Sequence, residues 1–207
     1  MNCGLGNLAS LKKHLLADTA KNDLSFDPII ADIGRGVAAQ FEQYCNRKFA
    51  RVENDTVICT ADRDHFYVPR YPLETFTQIE LKTDLQAGWE LQALVLNTNP
   101  TSGLVYWGAG IAYAWAQLRI TYTGGFFFEQ LEPDDETYPS QLPAGAAALP
   151  EDLRFAWLLQ CRHVWAAIDK LGVDLVDAKK PASANGADPL APTVADTLFT
   201  YTRMQLL

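Results

Sequence analysis

Ile30, Ile33, Val37, Phe41, Tyr44 and Cys45 recur at offsets 0, 3, 7, 11, 14 and 15, and after Arg51 this helical period stops. Such spacing is one buried face of an α-helix, and Asp27-Pro28 before it supplies an N-cap and a first-turn proline. Beyond Arg51 come short β-branched or aromatic runs: Thr56–Thr60, His65–Arg70, Phe76–Lys82, Leu91–Asn97, Gly103–Trp107 and Gln117–Thr123. Turn pairs such as Asn54-Asp55, Tyr71-Pro72, Asn99-Pro100 and Gly124-Gly125 separate most of them. At Pro150-Glu151-Asp152 the helical period resumes, with acid placed to suit the helix dipole. The order predicts an α+β fold: a small α-helical bundle carrying an inserted antiparallel β-sheet or small barrel, followed by a flexible C-terminal tail.

The expected boundaries follow from these changes of period. A helical core domain takes residues 1–51 and 150–172, and a β-rich insertion takes 52–128. An acidic Pro/Ala loop covers 129–149, a flexible linker 173–193, and an apolar C-terminal segment 194–207. Within the core a first helix over 7–18 is capped by Asn7 and shows Leu8, Leu11 and Leu15 on one face. Gly34 and Gly36 each cost a helix interior about 1 kcal/mol, so they mark close approach of a neighbouring helix or subunit, or else a kink. The third helix carries Leu153, Ala156, Trp157, Gln160, Cys161 and Val164 on one stripe, and Gly172 is its expected C-cap. Phe155, Leu158, Leu159 and Trp165 lie off that stripe. A helix apolar on two faces is buried on two sides, which makes these four the expected subunit interface. Phe126, Phe127 and Phe128 cannot all face one core along a strand, so at least one is expected to meet another surface.

Charge restricts the partners. The 207 residues carry 17 Lys/Arg against 25 Asp/Glu, a formal net charge of −8, the reverse of what phosphate neutralisation requires. All of the excess lies beyond residue 70, and no Lys, Arg or His falls between Arg119 and Arg154. The simpler reading of that stretch is a solvated acidic loop; the sharper one is a surface that repels DNA. No secretory pattern opens the chain, and the longest uncharged stretch, Leu91–Leu118, contains Asn97, Asn99, Pro100, Gly103, Gly108 and Gly110. A membrane-spanning helix would not collect those residues, so a soluble, reduced, cytosolic protein is expected. Cys3, Cys45, Cys59 and Cys161 show no C-x-x-C spacing, and Cys45 and Cys161 read as buried small hydrophobes.

Catalytic constellations are missing: there is no G-x-S-x-G, H-E-x-x-H, P-loop or G-x-G-x-x-G in context. Asp62, Asp64 and His65 could hold a divalent metal, but a polar turn entering a strand explains them better, since no second acidic or histidine cluster completes a shell. Glu74, Glu80 and Glu90 could pair as carboxylates or serve as strand-edge charges that discourage aggregation. Trp89, Trp107 and Trp115 with Tyr106 and Tyr113 could stack a sugar or form sheet core. No enzyme activity, metal or cofactor is expected.

Four segments in this order carry a resemblance: Phe41-Glu42-Gln43-Tyr44-Cys45-Asn46-Arg47-Lys48-Phe49, then Arg70-Tyr71-Pro72-Leu73, then Ile120-Thr121-Tyr122-Thr123-Gly124-Gly125-Phe126, then Leu149-Pro150-Glu151-Asp152-Leu153-Arg154. The succession resembles the head–tail connector (adaptor, or head-completion) proteins of tailed bacteriophages. The resemblance implies a virion protein at the head–tail interface, assembled in the host cytoplasm as a ring of twelve copies beneath the portal. Such a ring extends the DNA channel, lets DNA pass without specific binding, and offers a platform for the stopper or tail-completion protein. It also implies portal binding by the tail: Leu198, Phe199, Tyr201, Arg203, Met204 and Leu207. The residues alone leave two courses open for that segment, folding back on its own core or reaching for a partner. A virion-associated β-rich module binding carbohydrate or protein is the competing class, and a metal-dependent hydrolase built on Asp62, Asp64 and His65 a third.

Overall fold

The computed structural model describes residues 3–16, 22, 24–60, 65–84, 88–92, 96–107, 116–128, 141–174 and 190–202. Two compact units result: one helical, and one β-rich that runs from Asn46 to Phe128 and takes up Leu142–Ala148. The β unit thus begins before Arg51, because Lys48 bridges to Arg70 and Ala50 to Phe126.

In the helical unit, α1 spans Leu8–Leu15, α2 Asp27–Cys45, α3 Glu151–Asp174 and α4 Pro192–Phe199. Asn7 caps α1 as expected, its Oδ1 accepting from the Ser10 amide at 2.7 Å. Lys12 on α1 pairs with Asp27 at the start of α2. Helices α2 and α3 run antiparallel: the Phe26 and Trp165 rings meet edge-on at 6.0 Å, and Trp157 Nε1 donates to the Gly34 carbonyl at 3.0 Å. The core stripe of α2 is Ile30, Ile33, Val37, Phe41 and Cys45, against Leu153, Ala156, Trp157 and Cys161 of α3. Gly34 is there for close approach. A Cβ on it would collide with the Cys3 carbonyl and sit 3.0 Å from Leu11 and 3.1 Å from Trp157. Gly36 has nothing within 4 Å, so the same explanation does not extend to it. Helix α3 also runs through Gly172 to Asp174 instead of stopping there. Glycine ends a helix only when it takes a left-handed cap, and otherwise is a tolerated weak residue.

In the β unit, β1 (Val52–Thr60), β7 (Gln117–Gly124), β3 (Leu73–Lys82) and β4 (Glu90–Leu91) form one sheet in the order β1-β7-β3-β4. A second sheet has the order β2-β6-β5, from β2 (His65–Tyr67), β6 (Leu104–Trp107) and β5 (Leu96–Asn99). Phe126–Phe127 (β8) pairs in parallel with Ala147–Ala148 (β9), while the pairs in both larger sheets are antiparallel. No barrel closes among the described residues, so of the two expected architectures the open sheet holds. Alternate residues of β7, namely Leu118, Ile120 and Tyr122, point into one core with Cys59, Ile79, Leu81, Val105 and Trp107. The run expected as one strand over Leu91–Asn97 has ends in different sheets. Leu91 pairs with Glu80 of β3, whereas Leu96 pairs with Trp107 of β6.

All three phenylalanines at 126–128 are buried, and none of them belongs to the sheet core of Leu118, Ile120 and Tyr122. The strand is only two residues long, and the chain turns into it through Gly125 at φ +103°, which frees the run from simple alternation. Gly125→Ala should therefore be strongly destabilising: the added Cβ would stand 2.6 Å from the Ala50 carbonyl oxygen in a backbone conformation that side chains avoid. We expect a loss of about 1–3 kcal/mol in urea unfolding, and an unchanged midpoint would refute this reading of the turn.

Candidate assembly surfaces

The motif residues of the β unit gather into one junction. Arg47 is buried, its Cζ 3.4 Å from the Tyr71 ring centroid and farther from those of Phe49 and Phe126, at 5.1 and 5.2 Å, and its Nη2 donates to the Tyr71 carbonyl. Arg51 makes a two-pronged ion pair with Glu74 at 2.6 and 2.8 Å and reaches Glu53 at 2.7 Å. The Glu74 hydrogen bond is the first reason that Arg51 holds its proton beyond the usual guanidinium range. Arg70 donates to Asp55 at 2.7 Å and to the Ala50 carbonyl at 2.8 Å, and its amide donates to the Tyr122 hydroxyl at 3.2 Å. Gly124 lies against the carbonyls of Arg70 and Pro72, where a Cβ would stand 2.8 and 3.0 Å away. The peptide bond between Tyr71 and Pro72 is cis. The β-unit residues of these segments thus serve as framework, with Arg47, Arg51 and Arg70 each bonded within the unit.

Burial, and next the charge of Asp55, raises the Tyr122 phenol well above its ordinary value. The folded state then keeps a proton that the unfolded chain releases above about pH 10, so stability is level below that pH and falls as pH rises past it. Tyr122→Phe should flatten this alkaline decline. Urea midpoints at about pH 9 and about pH 11 test this, and equal declines in both proteins would contradict it.

Among the described residues the enzymatic candidates do not gather into a site. Asp62 and Asp64 lie outside the described residues, and His65 packs against the rings of Tyr67 and Tyr106. No group of three metal-ligating side chains occurs among the described residues. Glu74 and Glu80 do not pair with each other, because each binds an arginine, Arg51 and Arg119. Trp107 is core, Trp89 lies 4.5 Å from the Arg119 guanidinium, Tyr106 is exposed, and Trp115 and Tyr113 fall outside the described residues. All four cysteines are buried thiols, and burial raises the pKa of Cys3 and Cys161. Among the described residues no helix is long and apolar enough to cross a membrane.

The helical unit presents the more promising surfaces. Of the expected subunit-interface residues Phe155 is 57% exposed, Leu158 and Leu159 are half-buried, and Trp165 is half-buried against Phe26 of its own chain. Of the expected portal-binding residues, Leu198 is fully buried and Phe199 is 74% exposed. Tyr201 donates to Asp152 at 2.6 Å, while Arg203, Met204 and Leu207 lie outside the described residues. Helix α4 is fastened to its own unit. Val194 and Leu198 are buried, the Ala191 amide donates to Gln160 Oε1 at 3.1 Å, and the Cys45 thiol lies 3.5 Å from the Leu198 carbonyl. The course that folds this segment back on its core is the one observed through Thr202, and residues 175–189 of the expected linker lie outside the described residues. Sequence reasoning missed Tyr44, which is 42% exposed although it falls on the apolar stripe of α2. Its place one residue before the helix end was the available signal.

Comparison with solved structures brings in the particle. The chain shares its fold with chains of gene transfer agent particles. One is from the neck of an empty particle computed with C6 symmetry, with 19% identity, a TM-score of 0.59, and 97% of this chain and 90% of that one covered. Another is from the virion of the native particle, with 19% identity, a TM-score of 0.60 and the same coverage. A third, from the native neck computed with C12 symmetry, has 16% identity and a TM-score of 0.53 over the same shares. No family model matches the sequence, and no curated protein matches it.

Proposed function

We propose that the chain is a structural neck protein of a phage-like particle: a head–tail connector (adaptor) that forms a ring under the portal, extends the DNA channel and bears the stopper or tail-completion protein. The observation that carries this reading is the shared fold over 97% of the chain with components of particles whose necks were computed with C6 and C12 symmetry. The succession of sequence motifs points to the same class independently. A net charge of −8 suits a conduit in which DNA slides without sticking.

A cyclic ring needs heterologous, head-to-tail contacts. The outer face of α3 supplies the apolar side of one, with Phe155 at its centre and Leu158 and Leu159 beside it. Phe155→Glu should leave the melting temperature of the subunit nearly unchanged, because that side chain is exposed, and should prevent ring completion. Native mass spectrometry of the purified protein with and without its portal reads this directly. Rings formed as readily by the variant would remove α3 from the subunit contact. Phe199 and Tyr201 form the portal-facing part of the tail, while Leu198 serves as its anchor. Deleting 194–207 removes buried Val194 and Leu198, so it should lower stability by about 2–5 kcal/mol besides abolishing attachment to portal-bearing heads. Phe199→Ser should abolish attachment alone.

A further inference from the structure

Helices α2 and α4 end side by side, since the Cys45 thiol, in the last residue of α2, lies against the carbonyl of Leu198, in the last turn of α4. Two large aromatic side chains, Tyr44 and Phe199, stand exposed at this end, one beside each of the joined residues. Neither helix has a basic residue in its last turn. A helix C-terminus carries the negative end of the dipole, so two such ends lie together without a cation in either last turn. Asp196, exposed one turn before Phe199, adds a full negative charge on the outward side of α4. Nearby, Asp152 is committed to Tyr201.

We infer that this end of the helical unit docks a different protein, one that presents lysine or arginine side chains around an apolar contact. Cations of that kind answer both helix ends and Asp196, and they stack on Tyr and Phe faces. Aromatic anchors facing arginine are also what dominates protein interfaces. A second copy of this chain docking through the same face is the wrong occupant, because it would set Asp196 and the two helix ends against their like. The inference rests on the neck reading in one respect, that such a partner is the ring on which this protein sits. It adds Tyr44 to the surface and fixes the partner's chemistry.

The test places a benzophenone photo-crosslinking amino acid at position 44, 199 or, as a control on the β unit, 58, in the full chain during particle assembly. Positions 44 and 199 should capture one and the same heterologous protein, at peptides with Lys or Arg within a few residues, and position 58 should not capture it there. Asp196→Lys should reduce the yield about fivefold, the size of a surface charge contact. Crosslinks only to further copies of this chain, capture at peptides lacking basic residues, or no capture at all would overturn the inference. Native mass spectrometry of the same samples separates the two claims. Rings without these crosslinks would sink the surface and keep the neck reading, whereas crosslinks without rings would do the reverse.

Discussion

Trp157→Ala should destabilise the helical unit by about 3–5 kcal/mol, the cost of removing a large aromatic from a packed core. Trp157 is fully buried, it holds α2 through the Gly34 carbonyl, and its ring lies 2.8 Å from where a Cβ on Gly6 would be. The contact surfaces it supports have been shaped around an indole: Gly6 and Gly34 leave it room, and no smaller side chain closes the gap. Trp157→Phe should recover most of the packing while still forgoing about 1 kcal/mol for the lost N–H bond to a buried carbonyl. Urea unfolding followed by far-UV circular dichroism checks both. A loss below about 1.5 kcal/mol for the alanine variant would mean that the site relaxes, and the packing account of Gly34 would fail with it.

Glu74→Ala should cost the β unit about 3 kcal/mol, because it removes the two-pronged partner of a buried guanidinium. Both side chains are 7% exposed, and the pair is bonded at both guanidinium prongs. The expected loss is at the low end for a broken buried pair because Glu53 still reaches Arg51 at 2.7 Å. The double change Arg51→Met with Glu74→Leu should restore much of the loss, since two apolar groups of similar volume carry no unpaired charge. If the single variant unfolds like the parent in urea, the ion pair is no more than a solvated surface contact. If the double variant is worse than the single, the arginine is needed for more than its charge.

Periodicity made the helices legible and left much of the exposed apolar surface unread. The stripes of α2 and α3 and the Asn7 cap follow from local spacing, and the structure repeats them with small shifts at the ends. The strand positions were legible too, but their partners were not: which strand β7 lies beside depends on contacts far apart in sequence, and one short uncharged run feeds two sheets. In the sequence Arg47 and Arg70 stand out only as members of motif segments, and Arg51 only as the residue after which the helical period stops. Their roles as cation between rings and as ion-pair members appear only when residues 47–51, 70–74 and 122–126 come together. Phe155 lies off the core stripe in the sequence and is exposed in the structure. Trp165 lies off the stripe by the same rule, yet it packs against Phe26, which sits before α2 where no helical period could mark it. Leu198 and Phe199 are adjacent in sequence and have opposite fates, one buried and one exposed, a difference the apolar character of the tail could not reveal.

A place for this protein at the neck of a particle is most directly tested by imaging that place. Particles assembled with a small tagged version of this protein should show the tag in electron cryomicroscopy as a cyclic ring of density at the neck, between the head and the tail. Tag density on the capsid surface or at the fibres, or particles with complete necks that lack the tag, would contradict the connector reading and return the chain to the class of accessory binding modules.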